Sequence, residues 1–315
     1  MGKYIFGVDI GGTTVKIGFF TAEGILVDDW EIKTRKEDNG KNILSDIADS
    51  ISGKIESCGA NRDDVIGIGL DAPGPVLEDG TIKGAVNIGW GTFNLKEEME
   101  SLTGIAVKAA NDANVAALGE LWKGGGEGYS DICLVTIGTG LGGGLVLGGK
   151  IRAGANGAAA EIGHLPFVEP ESEPDVCGCG KRGCLEQYTS ATGMVRVAKR
   201  YLEAHPEKKC GLRDIPDFTT KEIFDLAKAH DETAVEITEL IYKYLGRGLA
   251  IISAVADVEA FVIGGGVSKA GDMITEGVRK YYVGYAFPAT RGVDFKLAKL
   301  GNKAGIYGAA KLIIG

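Results

Sequence analysis

The sequence predicts an α/β fold built from a duplicated unit and long enough for two domains. Three observations lead there. A strand–turn–strand opening with glycines and hydroxyls in its turn stands near the amino terminus, at Asp9-Ile10-Gly11-Gly12-Thr13-Thr14, and recurs at Thr136-Ile137-Gly138-Thr139-Gly140. After each copy come segments of helical periodicity and further apolar strands. Glycine makes up 50 of the 315 residues and concentrates in these turns, with no three-residue repeat. That pattern suits a backbone that approaches a ligand closely and excludes a collagen-like fibre.

Composition bounds the class of partner. With 44% hydrophobic and 24% charged residues the chain is that of an ordinary globular protein, and at this length it should bury roughly three-quarters of its unfolded surface. The formal net charge of −9 argues against nucleic acid, whose phosphates need a basic face. No apolar run approaches the length of a membrane span, and the amino terminus passes directly into a strand pattern with no signal segment. A cytoplasmic location is expected, and the scattered Cys58, Cys133 and Cys210 agree with a reducing compartment.

Taken in order, residues 4–9, 15–21 and 25–33 read as three strands joined by turns at Gly11-Gly12 and Glu23-Gly24, an antiparallel meander. The first turn places Asp9 at a strand end, then Gly11 and Gly12, then Thr13 and Thr14, with Lys16 just beyond. Such N–H groups and hydroxyls can cradle a phosphate, and Asp9 can hold Mg²⁺ directly or through water; an ordinary hairpin is the plainer reading. Residues 43–58 have helical spacing, and residues 65–70 form a near-continuous apolar strand ending in Asp71-Ala72-Pro73-Gly74-Pro75. Residues 95–102 read as a short helix and 105–110 as a strand running into Asn111-Asp112-Ala113-Asn114. Asp112 thus sits at a strand's carboxyl end, where open α/β sheets bind ligands, and at the start of helix 115–122, where it could equally serve as an N-cap.

The second copy begins after Gly124-Gly125-Gly126. Residues 132–137 read as a strand, Gly138-Thr139-Gly140 with Gly142-Gly143-Gly144 as a glycine-rich turn, and 145–147 as the next strand, with Thr136 in the place of Asp9. Two such loops facing one another across a cleft would grip one polyphosphate. His164 and the cluster Cys177, Cys179 and Cys184 follow; one imidazole and three thiolates suit a closed tetrahedral Zn²⁺ site, and Gly178, Gly180 and Gly183 let a short loop wrap the ion. Buried or disulfide-bonded cysteines are the alternative, though acidic, glycine-rich surroundings offer little apolar surface to bury them. Glu161 and Glu186 bracket this stretch, so a metal that fixes the loop fixes two carboxylates able to accept hydrogen bonds from a polyol such as a sugar. Helices are expected at 189–204, 221–230 and 232–256, with an irregular loop at 206–218. Residues 259–263 form a strand ending in Gly264-Gly265-Gly266, a turn open to a purine or ribose, and a strand at 293–298 and a helix at 304–314 close the chain.

These motifs together resemble those of the ROK family of sugar kinases, most closely its glucose-phosphorylating bacterial members. Asp9 to Thr14 is similar to the family's first phosphate motif, Ile137 to Gly144 to its second and Val262 to Val267 to its adenosine motif; the pairing of Glu161-Ile162-Gly163-His164 with Cys177 to Glu186 carries its signature. Ala160 departs from it, standing where the family usually has glycine. The resemblance implies an actin/hexokinase-like (ribonuclease H-like) fold with two domains around an ATP and sugar cleft. A small domain would comprise residues 1–111 and the C-terminal helix 301–315, and a large one 112–300 with the zinc loop. It implies ATP; Mg²⁺ on Asp9; structural Zn²⁺ on His164, Cys177, Cys179 and Cys184; and nucleotide contacts from Gly11, Gly12, Thr13, Thr14, Lys16, Gly138, Thr139, Gly140, Gly264, Gly265 and Gly266. Asn111, Asp112, Glu161, His164 and Glu186 would bind the sugar, His164 using one ring nitrogen for metal and one for a hydroxyl, with Asp112 as general base. The implied reaction is ATP-dependent phosphorylation of glucose at its 6-hydroxyl by a homodimer or homotetramer. N-acetylmannosamine, fructose or allose is the alternative acceptor. A sugar-responsive, non-catalytic regulator with a DNA-binding domain is the rival of another class, disfavoured by the acidic charge and a first motif starting at residue 9.

Overall fold

The computed structural model describes residues 3–315. Two compact units are present: one holds the described residues through Ser130, Gly144–Ala160 and Leu300–Gly315, the other Asp131–Gly143 and Glu161–Lys299. The division by sequence at 111/112 and 300/301 differs from this one chiefly in the helix after residue 111 and in the segment 144–160, both of which lie in the first unit.

In the first unit β1 (Tyr4–Ile10), β2 (Thr14–Thr21) and β3 (Leu26–Lys33) form the expected antiparallel meander. Two parallel strands, β4 (Val65–Ala72) and β7 (Val107–Asn111), extend it past β1, giving the order β3-β2-β1-β4-β7 among the described residues. The register pairs Asp9 with Asp71 and Ala72 with Asn111, so the carboxyl ends of β1, β4 and β7 form one edge. Between β3 and β7 run a single turn α1 (Glu37–Gly40), α2 (Ile43–Ser57), a ribbon of β5 (Thr81–Ile82) and β6 (Phe93–Asn94), and α3 (Leu95–Thr103). Ile43, Ile47, Ile51 and Ile55 recur at helical spacing on α2 and are buried in one core with Phe6, Val8 and Leu70.

The alternate residues of β1 face α10 (Ala304–Ile314), and here glycine is a geometric requirement. A Cβ on Gly7 would collide with the Ile306 carbonyl, and one on Gly69 of β4 with that of Ala309. Helix α10 in turn crosses α4 (Asp112–Lys123) at backbone contact, since a Cβ on Gly308 would meet the Val115 carbonyl and one on Gly119 the Ala304 carbonyl. No flexible side chain intervenes that could move aside.

The second sheet is ordered β10-β9-β8-β11-β12: β8 (Ile132–Ile137), β9 (Leu141–Leu147), β10 (Lys150–Ile151), β11 (Ala260–Gly264) and β12 (Asp294–Leu297). Position by position this repeats the first sheet, so the duplication read from the turn motifs is one of topology. Helices α5 (Glu186–Thr189), α6 (Ala191–Ala204), α7 (Thr220–Lys228) and α8 (Glu232–Ala256) match the expected segments, except that Ser190 divides the first of them. Two expectations are corrected. Gly142–Gly144 lie inside β9, where a Cβ on Gly142 would come within 2.6 Å of Thr136 Oγ1. A helix absent from the sequence reading, α9 (Asp272–Tyr285), buries Ile274, Val278 and Tyr282 at i, i+4 spacing against α8. Among the described residues no helix is long and apolar enough to cross a membrane.

Because both faces of the α4–α10 contact are backbone, Gly308→Ala should cost about 1–3 kcal/mol of stability through overpacking, read as a lower denaturation midpoint at unchanged m-value. An unshifted midpoint would mean that the helices are not held at this distance.

Candidate active site

At the edge of the first sheet, the Gly11–Thr14 turn is tied by the Gly11 N–H to the Thr14 carbonyl at 3.1 Å and by the Thr34 hydroxyl to the Gly11 carbonyl at 2.7 Å. A Cβ on Gly12 would meet nothing within 4 Å, so the turn presents open backbone. Asp9 Oδ2 lies 3.3 Å from Lys16 Nζ, across the β1–β2 register that pairs these residues.

Asp71, which the sequence reading passed over, is fully buried beside them. Its Oδ1 accepts the Ile10 N–H at 3.3 Å, and its Oδ2 has no hydrogen-bond partner among the described residues. Burial first, then the nearby charges of Asp9 and Asp112, push its pKa well above the usual carboxylate range. Helix α10 closes over this group with glycine: a Cβ on Gly305 would lie 2.7 Å from Asp9 Cγ and 2.9 Å from Asp71 Oδ2. The available signal was an acid ending an apolar strand in line with Asp9 and Asp112.

Asn111 and Asp112 divide the work at the end of β7. Asn111 is the N-cap, its Oδ1 accepting the Asn114 N–H at 3.1 Å. Its amide Nδ2 donates to the Gly74 carbonyl at 3.0 Å and to Asp112 Oδ1 at 2.9 Å. Asp112, the first helical residue, also accepts the Ala113 N–H at 2.8 Å. Since the cap is supplied by Asn111, the capping alternative for Asp112 falls away.

In the second unit His164, Cys177, Cys179 and Cys184 offer one ligand atom each, all within 4.8 Å of one another. Cys177 Sγ lies 3.7 Å from His164 Nδ1, and Cys179 Sγ 3.7 Å from Cys184 Sγ; among the described residues the cysteines are free thiols. Burial pushes the Cys177 and Cys184 thiols up, while the Lys181 N–H lowers that of Cys179. Glu186 adjoins the cluster with Oε1 3.0 Å from Cys177 Sγ and 3.8 Å from His164 Nδ1, and its Oε2 accepts the Leu141 N–H at 3.3 Å. Glu161 Oε2 lies 4.0 Å from His164 Nε2. Ala160, just before it, holds φ of +65°, a region in which glycine is at ease and alanine is not.

The Gly138–Gly140 turn closes by the Gly138 N–H to the Gly140 carbonyl at 3.0 Å and is held by the start of α6. There the Ala191 N–H donates to the Gly138 carbonyl at 2.8 Å and the Thr192 hydroxyl to the Thr139 carbonyl at 2.8 Å. Beyond β11, Gly265 at φ +82° packs its Cα against Ile137, and a cavity of about 340 Å³ opens beside Gly266. Thr220, Phe224 and Lys228 of α7 line it with Val267, residues without a sequence signal, because 220–228 reads only as an amphipathic helix. A cavity of about 580 Å³ around Leu77, Glu78 and Arg152 holds none of the candidate residues.

Two sheets of the same order, each opening on a glycine-rich turn with a polar residue at the preceding strand end, define the actin/hexokinase-like phosphotransferase class. Within that class the chain belongs to the ROK family, whose model matches residues 5–315. It is 43% identical to a glucokinase of Halalkalibacterium halodurans over 99% of this chain and 95% of that protein. Among solved structures it is similar to a ROK family glucokinase from Streptomyces griseus in complex with glucose and AMPPNP, with a TM-score of 0.72 and 36% identity over 98% of each chain. A ROK hexokinase from Thermus thermophilus gives 0.77 and 31%, covering 98% of this chain and 96% of the other.

Asp71 makes a pH-dependent prediction. Its folded pKa is raised, so between the unfolded value of about 3.9 and the folded one the native state holds a proton that the unfolded state has lost. Stability therefore falls as pH rises through that window. Asp71→Asn should match wild type below about pH 4 and gain on it progressively above, in denaturant titrations across pH. A constant difference would mean that Asp71 is not held in this environment.

Proposed function

We infer that this protein transfers the γ-phosphoryl group of ATP to the 6-hydroxyl of glucose, the glucokinase reaction. The full-length similarity to glucokinases, one of them bound to glucose and a nucleotide, carries the inference. The roles of individual residues rest on the family motifs and on the local geometry of each.

In this reading Asp112 is the general base: it orients the acceptor hydroxyl and takes its proton. Asn111, tied to the Gly74 carbonyl and to Asp112, keeps that carboxylate in one rotamer and adds a sugar contact. Glu161, His164 and Glu186 take the other hydroxyls, as adjacent acceptors around one imidazole. The open backbone of Gly12 in the turn that Gly11 shapes, with Thr13, Thr14 and Lys16, and the Gly138-Thr139-Gly140 turn receive phosphate oxygens; Gly264 to Gly266 and the cavity beside them receive the adenosine. Phosphoryl transfer of this kind depends on positioning and charge stabilisation, which fixed N–H groups supply without reorganisation.

Two metals belong to the reading. Asp9 would hold Mg²⁺, which when bound with ATP offsets phosphate charge. Three sulfurs and one imidazole nitrogen within 4.8 Å fit tetrahedral zinc, which would act as a structural clip on the loop of His164 and Glu186. A cytoplasmic homodimer or homotetramer accompanies this reading by family resemblance.

A coupled ADP-release assay with ATP·Mg²⁺ over glucose, mannose, fructose, allose, N-acetylglucosamine and N-acetylmannosamine tests the substrate. Glucose should give the highest kcat/KM; a stronger preference for another sugar would keep the chemistry and replace the acceptor. Asp112→Asn should retain sugar binding and lose ~10²–10⁴ in kcat, and near wild-type turnover would remove Asp112 from the role of base. Cys179→Ser should lose zinc, measured by metal analysis, and raise the sugar KM; undiminished metal content would refute the four-ligand assignment.

A further inference from the structure

The segment joining His164 to Cys177 carries a buried charged network that no part of the metal or sugar reading uses. Glu173, 1% exposed, receives two hydrogen bonds from the Arg200 guanidinium, at 2.7 and 3.1 Å, and one from the Tyr188 hydroxyl at 2.5 Å. The Asp175 N–H adds a fourth at 3.0 Å. Asp175 is in turn gripped by Arg200 at 2.8 Å and Arg196 at 3.1 Å, one helical turn apart on α6. Gln187 completes the ring, donating to the Asp175 carbonyl at 3.0 Å while its Oε1 accepts the Cys184 N–H at 3.0 Å.

We propose that Glu173 is a positioning residue for sugar recognition, locking the loop between His164 and Cys177 onto the helical turn that carries Glu186. The connection is short. Glu186, Gln187 and Tyr188 are consecutive in α5, and Tyr188 and Gln187 both bond to the 173–175 segment. Phe167 of the same loop packs its ring on Tyr188 at 5.8 Å and on Tyr244 of α8 at 5.7 Å, with the Arg247 guanidinium 4.8 Å above it. The network thus holds the loop through side-chain and backbone hydrogen bonds that involve none of the sulfurs, and it needs no metal to form. Arg200 beside it holds the Glu173 carboxyl down at about 2, as expected of an acid with charged and neutral donors on both oxygens. Outer hydrogen bonds that fix the orientation of a liganding group typically contribute about 10–100-fold to affinity or activity, and here the group they orient would contact the sugar and not the transferred phosphoryl group.

The proposal rests on the sugar-kinase reading, and the test separates the two. Glu173→Gln keeps the shape and removes the charge; Tyr188→Phe removes one donor and leaves the Glu173–Arg200 pair intact, so it serves where the first variant fails to fold. In steady-state kinetics on the sugar that wild type prefers, the sugar KM should rise about tenfold in Glu173→Gln and by a smaller factor in Tyr188→Phe. The kcat, the ATP KM and the zinc content should remain those of wild type. A sugar KM unmoved in the folded variants overturns the proposal. So does a fall in kcat with both KM values unchanged, which is what a smaller folded fraction produces. Wild-type protein that phosphorylates none of the sugars overturns the parent reading and takes this one with it.

Discussion

The carboxylate of Glu186 is the point on which the second unit depends. One oxygen faces the thiol of Cys177 and the imidazole of His164, and the other takes the Leu141 N–H at the foot of the Gly138–Gly140 turn. Gly140 must be glycine for this, because a Cβ there would lie 2.9 Å from Glu186 Oε2. The backbone oxygen of Glu186 also accepts the Ser190 hydroxyl at 2.7 Å, and Ser190 caps the helix whose first residues hold the same turn. One residue therefore links the cysteine cluster to the Gly138–Gly140 turn through contacts that need no ligand to form. Preorganisation of that kind is what a phosphotransferase needs, since charge stabilisation counts only when the donors need not move to supply it.

The first unit meets the same need differently. Its polar residues stand at the ends of adjacent strands, where backbone hydrogen bonds fix their spacing, and helix α10 seals them from behind through glycines in place of side chains. Gly305 admits the carboxylates of Asp9 and Asp71, and Gly7 and Gly69 admit the helix itself. Burying Asp71 there is costly for its charged form. The same burial leaves one of its oxygens to hold the Ile10 N–H, the last amide before the glycine turn. Desolvation of charge is thus concentrated at the strand ends, while ordinary apolar packing through Phe6, Val8 and Leu70 carries the rest.

Elements with strong periodicity were legible in the sequence. The α8 and α10 spans and the opening meander follow from spacing and turn residues, and the gathering of His164 with Cys177, Cys179 and Cys184 follows from residue type. What escaped did so for physical reasons. Ile274, Val278 and Tyr282 carry a helical stripe, but the glycines just before it signal a loop, and α9 is set by tertiary packing against α8. Gly142–Gly144 look like a turn because strands rarely admit glycine; they form a strand here because Thr136 and the Ala113 carbonyl leave no room for a side chain. Asp71 is marked in the sequence only as an acid at the end of an apolar strand, and Glu173 by no local pattern, since the sheet register and the approach of α6 are what bury them. The lining of the cavity beside Gly266 by α7 is long-range in the same way.

Ala160 shows how a local rule can be broken at such a site. A non-glycine residue in the left-handed region costs about 1–2 kcal/mol, and conformations of that kind persist only where the surroundings over-determine them. Each neighbouring segment is fixed within its own unit. Before it, the 153–159 loop closes on itself through the Ala159 N–H to the Ala153 carbonyl at 2.9 Å. After it, the short turn Ile162–His164 is fixed by the His164 N–H to the Glu161 carbonyl at 3.1 Å, with Gly163 packed on the Leu141 carbonyl so closely that no Cβ would fit. Alanine accepts its cost, and in return it narrows the unfolded ensemble relative to glycine, an effect that offsets part of the strain. The residue that leads into Glu161 thus adopts a conformation that its own preference disfavours.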